Sequence, residues 1–332
     1  MNFLRKRSKE TAPDVSTGID QERETEIKAE LGRSFKEIMY TSLGTYGTGN
    51  MYASGEMMYD ALFATSPTES IHGYVRPIDE SILNPNRIAP NKAEFTAWFR
   101  EALVHDPELQ KACAFPGVLE AVDTMLEAGP LIIWTEGDTR SAISGTPGSG
   151  EQLEKIRGIG IFQKGVEKAL SQIAIDQGTN YGQHFDIEVV DPVVESLIAA
   201  EASEHKFSNE SLTRVFEHLH EQGITHAVVL EDRLSNAVRM RALLGSNGFE
   251  ATGIWVRQGR HGRREGDHDD TILEAQTIAE ASEMIKAQRE ETGVPIGIVS
   301  DLDGVLADQE ARERLQTEAL YEKCLRSGWL RK

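Results

Sequence analysis

Between residues 115 and 300 the chain alternates short, unbroken apolar runs with longer amphipathic stretches, and few folds accept that alternation. The runs are "LIIW" at 131–134, "FDIEVV" at 185–190, "HAVVLE" at 226–231, "ATGIWV" at 251–256 and "IGIVS" at 296–300. Runs this short and this apolar suit strands covered on both faces. Between them lie helical patterns. Residues 115–129 place Val118, Leu119, Val122, Met125 and Leu126 on one face, with Pro116 in the first turn and Gly129 at the end. Residues 209–223 align Leu212, Val215, Phe216 and Leu219; 235–248 and 272–292 also read as helices. Strands separated by helices imply an α/β fold with a mainly parallel, five-stranded sheet, helices covering both faces. Ligands of such sheets sit beyond the carboxyl ends of the strands. The residues just past each strand are therefore the informative ones.

The rest of the chain reads differently. Residues 26–112 are helical segments broken by small-residue loops, with Phe95, Trp98, Phe99 and Leu103 as one stripe and no convincing strand alternation. Residues 1–25, with the basic cluster Arg5-Lys6-Arg7, read as a disordered tail. Fifty-four acidic residues against 35 basic ones give a net charge of −19, which repels phosphate backbones and anionic lipid. Nucleic acid and membrane surfaces are accordingly not expected partners, and no apolar run approaches the roughly 20 residues that span a bilayer. Two cysteines, Cys113 and Cys324, make neither a disulfide framework nor a zinc site, so a reducing, cytoplasmic setting is expected. "GTPGSGEQ" at 145–152 lacks the Lys-Ser/Thr of a nucleotide loop. The stretch 256–270, with Arg257, Arg260, Arg263 and Arg264 beside His268, Asp269 and Asp270, reads as a surface loop.

At the strand ends, Asp301 and Asp303 come after "IGIVS", and Glu231 and Asp232 after "HAVVL", with Asn236 four residues beyond Asp232. Thr135, Glu136 and Gly137 come after "LIIW", and Lys206 precedes the helix at 209. Each alone is a weak signal, since D-x-D recurs by chance in acidic chains. Together they are the groups that phosphoryl transfer uses. A carboxylate attacks phosphorus only when the repulsion between two anions is cancelled, which Mg²⁺ held by oxygen ligands does. Asp301 and Asp232 supply two carboxylate ligands, and Asp301 is the candidate nucleophile. Asp303 is the candidate acid and base for the leaving group and the water. Lys206 and Thr135 balance charge on the transferring group. Glu136, Gly137 and Asn236 are candidate substrate contacts.

"IVSDLDGVLAD" resembles the first motif of the haloacid dehalogenase-like (HAD) phosphohydrolases, "LIIWTEGD" their second, Lys206 in "HKFSNESL" their third, and "AVVLEDRLSNAV" their fourth. The resemblance covers about 115–332. It implies a Rossmannoid three-layer sandwich in which Asp301 is the nucleophile, Asp303 the acid/base and a metal ligand through its backbone carbonyl, Asp232 a metal ligand, and Thr135 and Lys206 phosphate clamps. The motifs stand in the order second, third, fourth, first, so the resemblance implies a circularly permuted chain. The expected parts are a catalytic core at 113–308 and an α-helical cap at 26–112, completed by 309–332. Tyr46, Asn50, Met51 and Tyr52 would reach the substrate if the cap covers the site. The implied activity is Mg²⁺-dependent hydrolysis of a small phosphate monoester through an aspartyl-phosphate, by a monomer or homodimer. The alternatives are a phosphomutase of the β-phosphoglucomutase type and a non-catalytic HAD-fold binding or regulatory protein.

Overall fold

The computed structural model describes residues 21–46, 51–64, 68–70, 73–103, 106–135, 159–160, 174–175, 187–188, 197–199, 207, 209–263 and 268–331. Helices α1 (Gln21–Tyr46) and α2 (Met51–Phe63) come first, then strands β1 (Thr68–Ser70) and β2 (Gly73–Val75). Next are α3 (Lys92–Leu103), α4 (Pro107–Ala112), α5 (Val118–Ala128), β3 (Leu131–Thr135), β4 (Ala174–Ile175), β5 (Ile187–Glu188) and β6 (Leu197–Ala199). The chain continues through α6 (Asn209–Glu221), β7 (His226–Glu231), α7 (Leu234–Ser246), β8 (Glu250–Val256), β9 (Ile272–Ala275), α8 (Ile278–Thr292), β10 (Ile296–Ser300) and α9 (Gln309–Arg326).

The main sheet is parallel throughout, in the order β6-β3-β10-β7-β8-β9. Five strands of four to seven residues carry it, and β6 adds three residues at one edge. The last strand of the chain is central, with Ser300 level with Ile133 on one side and Leu230 on the other. All five residues of β10 are buried, as its apolar run requires. Alternate residues serve opposite faces. Leu131, Ile133, Val228, Leu230, Ile296 and Ile298 pack with α5 and α8, whereas Ile132, Trp134, Ala227, Val229 and Val299 pack with α6 and α7. The result is a three-layer α/β sandwich.

Two of the expected elements differ. The described residues of "FDIEVV", Ile187–Glu188, pair antiparallel with β4 in a separate ribbon rather than joining the main sheet. The segment's acidic residues interrupt the apolar run that a doubly covered strand needs. Residues 272–275, expected to begin a helix, form the edge strand β9. Thr277 caps α8 by accepting from the Glu280 amide at 3.2 Å, which starts the helix at Ile278 and leaves "ILEA" extended. Ile272 and Ala275 of β9 are buried while Leu273 is exposed, as suits an edge.

A second hydrophobic cluster joins the two ends of the chain. Ile27, Leu31 and Phe35 of α1, Met57, Met58 and Leu62 of α2, and Phe95, Phe99 and Leu103 of α3 pack with Leu320, Tyr321 and Cys324 of α9 and with Trp329 and Leu330 beyond it. Backbone bonds fasten the ends: Leu83 bridges Leu330, and the Arg331 amide donates to the Ile82 carbonyl at 2.9 Å. Two details depart from expectation here. α1 begins at Gln21, inside the stretch read as a tail, with Glu22 and Glu24 in its first turn, where acidic groups suit the helix dipole. An antiparallel pair of three-residue strands, β1 and β2, occurs where no strand pattern is apparent in the sequence. Among the described residues no helix is long and apolar enough to cross a membrane.

Candidate functional site

The carboxyl ends of β7 and β10 deliver the site. The two strands are in register from Ile296 with His226 to Ser300 with Leu230, so the next residues, Asp301 and Glu231, stand level. The Asp301 amide donates to the Leu230 carbonyl at 2.9 Å, continuing the ladder past the end of β10. One carboxylate oxygen of Asp301 accepts from the Leu302 amide at 2.9 Å, which orients the side chain over its own turn. Asp232 comes directly after Glu231, and its carbonyl accepts from the buried Trp255 indole of β8 at 3.0 Å. One oxygen from each of Glu231, Asp232 and Asp301 lies within 4.8 Å of the others, and among the described residues no other such group of His, Cys, Asp or Glu occurs. Glu231 is fully buried and Asp232 is 3% exposed.

The loop after Asp301 is tightly folded. Gly304 donates to the Ala307 carbonyl at 2.8 Å, and Leu306 and Ala307 both donate to the Leu302 carbonyl. Gly304 has φ +86°, and a Cβ on it would run into the Asp232 carboxylate. Both facts require glycine here: the left-handed backbone and the close approach to Asp232. The loop ends at Asp308, which caps α9 by accepting from the Glu310 and Ala311 amides at 3.0 Å each.

Of the residues singled out in the sequence, the structure thus brings Asp301 and Asp232 together. Asp303 is half-buried in the same loop, bridging Ala307 through its backbone, and its side chain is not one of the clustered three. Asn236 sits half-buried in the first turn of α7, just beyond the end of β7. Thr135 ends β3, the other neighbour of β10, and its backbone is level with Ala199; its side chain lies outside the described residues. Glu136, Gly137, Asn50 and Lys206 also lie outside them, as do the side chains of Tyr46, Met51 and Tyr52.

The sequence marks Glu231 only as half of an acidic pair, not as a ligand. The register contained the signal: aligning "HAVVL" with "IGIVS" puts Glu231 opposite Asp301. Three carboxylates this close repel one another, on the order of 3 kcal/mol per ionised pair at an effective dielectric of about 20. Burial adds a desolvation cost to Glu231 and Asp232. A bound cation offsets both terms, and the donor set is all oxygen. Compared with protein-family models, with curated proteins and with solved structures, the chain matches none.

Proposed function

We propose that the chain is a magnesium-dependent phosphohydrolase of the haloacid dehalogenase-like kind, acting on a small phosphate monoester through an aspartyl-phosphate at Asp301. The observation that carries this reading is the convergence of Glu231, Asp232 and Asp301 at the ends of two adjacent central strands. The central position of β10, between the strand that ends in Thr135 and the strand that ends in Glu231, supports the permuted reading of the motifs. The cluster of helices built from both chain ends supports the reading of residues 26–112 and 309–332 as one cap.

The residues fit a hard divalent cation, since buried carboxylates provide charge and oxygen without nitrogen or sulfur. Asp301, Asp232 and Glu231 would hold it, with the Asp303 carbonyl; when bound, it supplies charge neutralisation for the attack of an anion on an anion. In the first step an Asp301 oxygen bonds to phosphorus as the ester oxygen leaves, and Asp303 gives that oxygen its proton. In the second, water attacks the same phosphorus while Asp303 takes the water's proton. Inorganic phosphate departs and the Asp301 carboxylate is regenerated. The burial of β10 and its register with β7 hold Asp301 in place, so little reorganisation precedes attack. Thr135 and Lys206 keep their roles as phosphate contacts.

Release of phosphate from p-nitrophenyl phosphate, with Mg²⁺ and with EDTA, tests the proposal. Turnover should require Mg²⁺, and Asp301→Asn should lower it at least about 10³-fold with an unchanged circular dichroism spectrum. Near-normal release by Asp301→Asn, or equal rates in EDTA, would sink the mechanism.

A further inference from the structure

The loop after β8 touches the acidic site without contributing a carboxylate to it. Gln258 spans two elements with one amide. Its Nε2 donates to the Val305 carbonyl at 2.6 Å, and its Oε1 accepts from the Ile278 amide, the first residue of α8, at 3.0 Å. Gly259 is buried with its Cα against the backbone of Gly304, so closely that a Cβ would run into the Gly304 Cα and carbonyl. Gly304 in turn lies against the Asp232 carboxylate. The contact therefore passes from Gly259 through Gly304 to Asp232, while Gln258 fixes the adjoining residue of the same loop to the start of α8.

The rest of this loop grips the amino end of α9. Arg260 bonds Glu310 at 3.3 Å and Glu313 at 2.6 Å, and Arg263 also pairs with Glu310, all on the first turns of that helix. Burial pushes the Glu310 carboxyl up, but the Arg263 and Arg260 guanidiniums outweigh it and hold it below the usual carboxylate range. Residues 258–263 thus hold the segment 301–313 at its glycine turn, at Val305 and at the start of α9. Arg257 anchors the loop at its other end, donating to the Gly262 carbonyl at 3.0 Å and to Glu274 at 3.1 Å.

We propose that Gln258 and Gly259 are positioning residues for the carboxylate site, setting the separation of Asp301 from Asp232 through the 302–305 turn. This rests on the reading of that cluster as a cation site. A side chain that holds a ligand-bearing loop affects metal affinity without touching the metal, typically by 10- to 100-fold. Gln258→Glu is nearly isosteric but turns the donor facing the Val305 carbonyl into an acceptor, so the turn is pushed away. The substitution also adds a negative charge, which by electrostatics alone would strengthen cation binding. Positioning and charge therefore predict opposite signs.

The test is titration of the full-length protein with Mn²⁺, with free Mn²⁺ read by electron paramagnetic resonance. Gln288→Glu is the matched control: Gln288 donates to Thr252 at 3.1 Å at the amino end of β8, far along the sheet from the cluster. Mn²⁺ affinity should fall at least about tenfold in Gln258→Glu and in Gly259→Ala, and should hold in Gln288→Glu. Should Gln258→Glu or Gly259→Ala fail to give a native melt, Gln258→Ala, which removes the bridge without adding a charge, decides by the same measurement. Unchanged or tighter binding in the Gln258 variants, with wild-type binding intact, overturns the positioning role and leaves the cation site standing. Absence of wild-type Mn²⁺ binding overturns the cation site and this inference with it.

Discussion

The sheet and the helical cluster bury polar groups on different terms. In the helical cluster two buried neutral polar side chains serve the backbone: Thr96 donates to the Lys92 carbonyl at 2.9 Å and Gln316 to the Leu103 carbonyl at 2.8 Å. The surrounding core is aromatic, with Trp329 edge-on to Phe63 at 5.0 Å and Phe63 edge-on to Phe95 at 6.3 Å. In the sheet, by contrast, two carboxylates are buried side by side at the end of β7, with a third from β10 beside them. A neutral polar group that caps a carbonyl helps the fold, whereas clustered carboxylates oppose it. On the proposed reading, a bound cation would offset that cost.

Removing residues 290–332 gives the largest expected effect, because it takes one element from each region. β10 leaves the middle of the sheet and α9 leaves the helical cluster. Ile296, Ile298 and Val299 are fully buried, and losing their burial alone costs about 5–8 kcal/mol. That is comparable with the whole stability of a typical domain, about 5–15 kcal/mol. The truncated chain should be insoluble or molten, with two strand edges exposed. A soluble, cooperatively melting product would show that neither region depends on the segment.

Trp329→Ala tests whether the two regions are separable. It should cost about 3–5 kcal/mol by emptying the aromatic core. Cys324, in the same cluster, reports on the opening: burial pushes its thiol up to about 12, so a thiol reagent should scarcely label it in the native protein. Labelling of Cys324 should accelerate in Trp329→Ala while Mn²⁺ binding at the sheet persists at temperatures below the melt. Loss of Mn²⁺ binding in parallel with loss of Cys324 protection would mean that the regions fold as one unit.

The same contrast explains how much was legible in the sequence. "LIIW", "HAVVL" and "IGIVS" announce themselves because strands buried on both faces must be apolar throughout, and their carboxyl ends then point to Asp301 and Asp232. Glu231 was within reach, but only by aligning two strands that lie far apart in the chain. β9 is hidden in the sequence because "ILEA" runs into a genuine helix, and only the Thr277 cap divides them. The helical cluster was expected to join the chain ends, yet nothing local signals that Asn84 donates to the Gly328 carbonyl at 2.8 Å or that Leu83 bridges Leu330. Gln258 and Gly259 were invisible for the same reason, since their partners near residue 304 are distant in the chain and a lone Gln-Gly dipeptide reads as a turn.

The smallest expected effect belongs to the exposed carboxylates of the sheet's edge, which sharpen the contrast with the buried three. His268 lies between Asp270 at 2.8 Å and Glu274 at 3.2 Å, on the surface. The Glu274 hydrogen bond, then the one to Asp270, raises the His268 pKa above the ordinary value of about 6.5, and His268 in turn lowers that of Glu274. A raised histidine stabilises the folded state below its unfolded pKa and loses that contribution as pH rises through the folded one. A lowered glutamate contributes above its ordinary pKa and loses the contribution as pH falls. The contact should therefore help most between about pH 5 and 6.5. Solvent screens a pair this exposed, so His268→Gln should lower the melting temperature by only about 1 °C at about pH 6 and leave it unchanged at about pH 9. Mn²⁺ affinity should not respond, because the pair lies on the β9 edge strand and the loop before it, away from the carboxyl ends of β7 and β10. A destabilisation that grows as the pH is raised between those two values would reverse the sign of the linkage and refute the assignment.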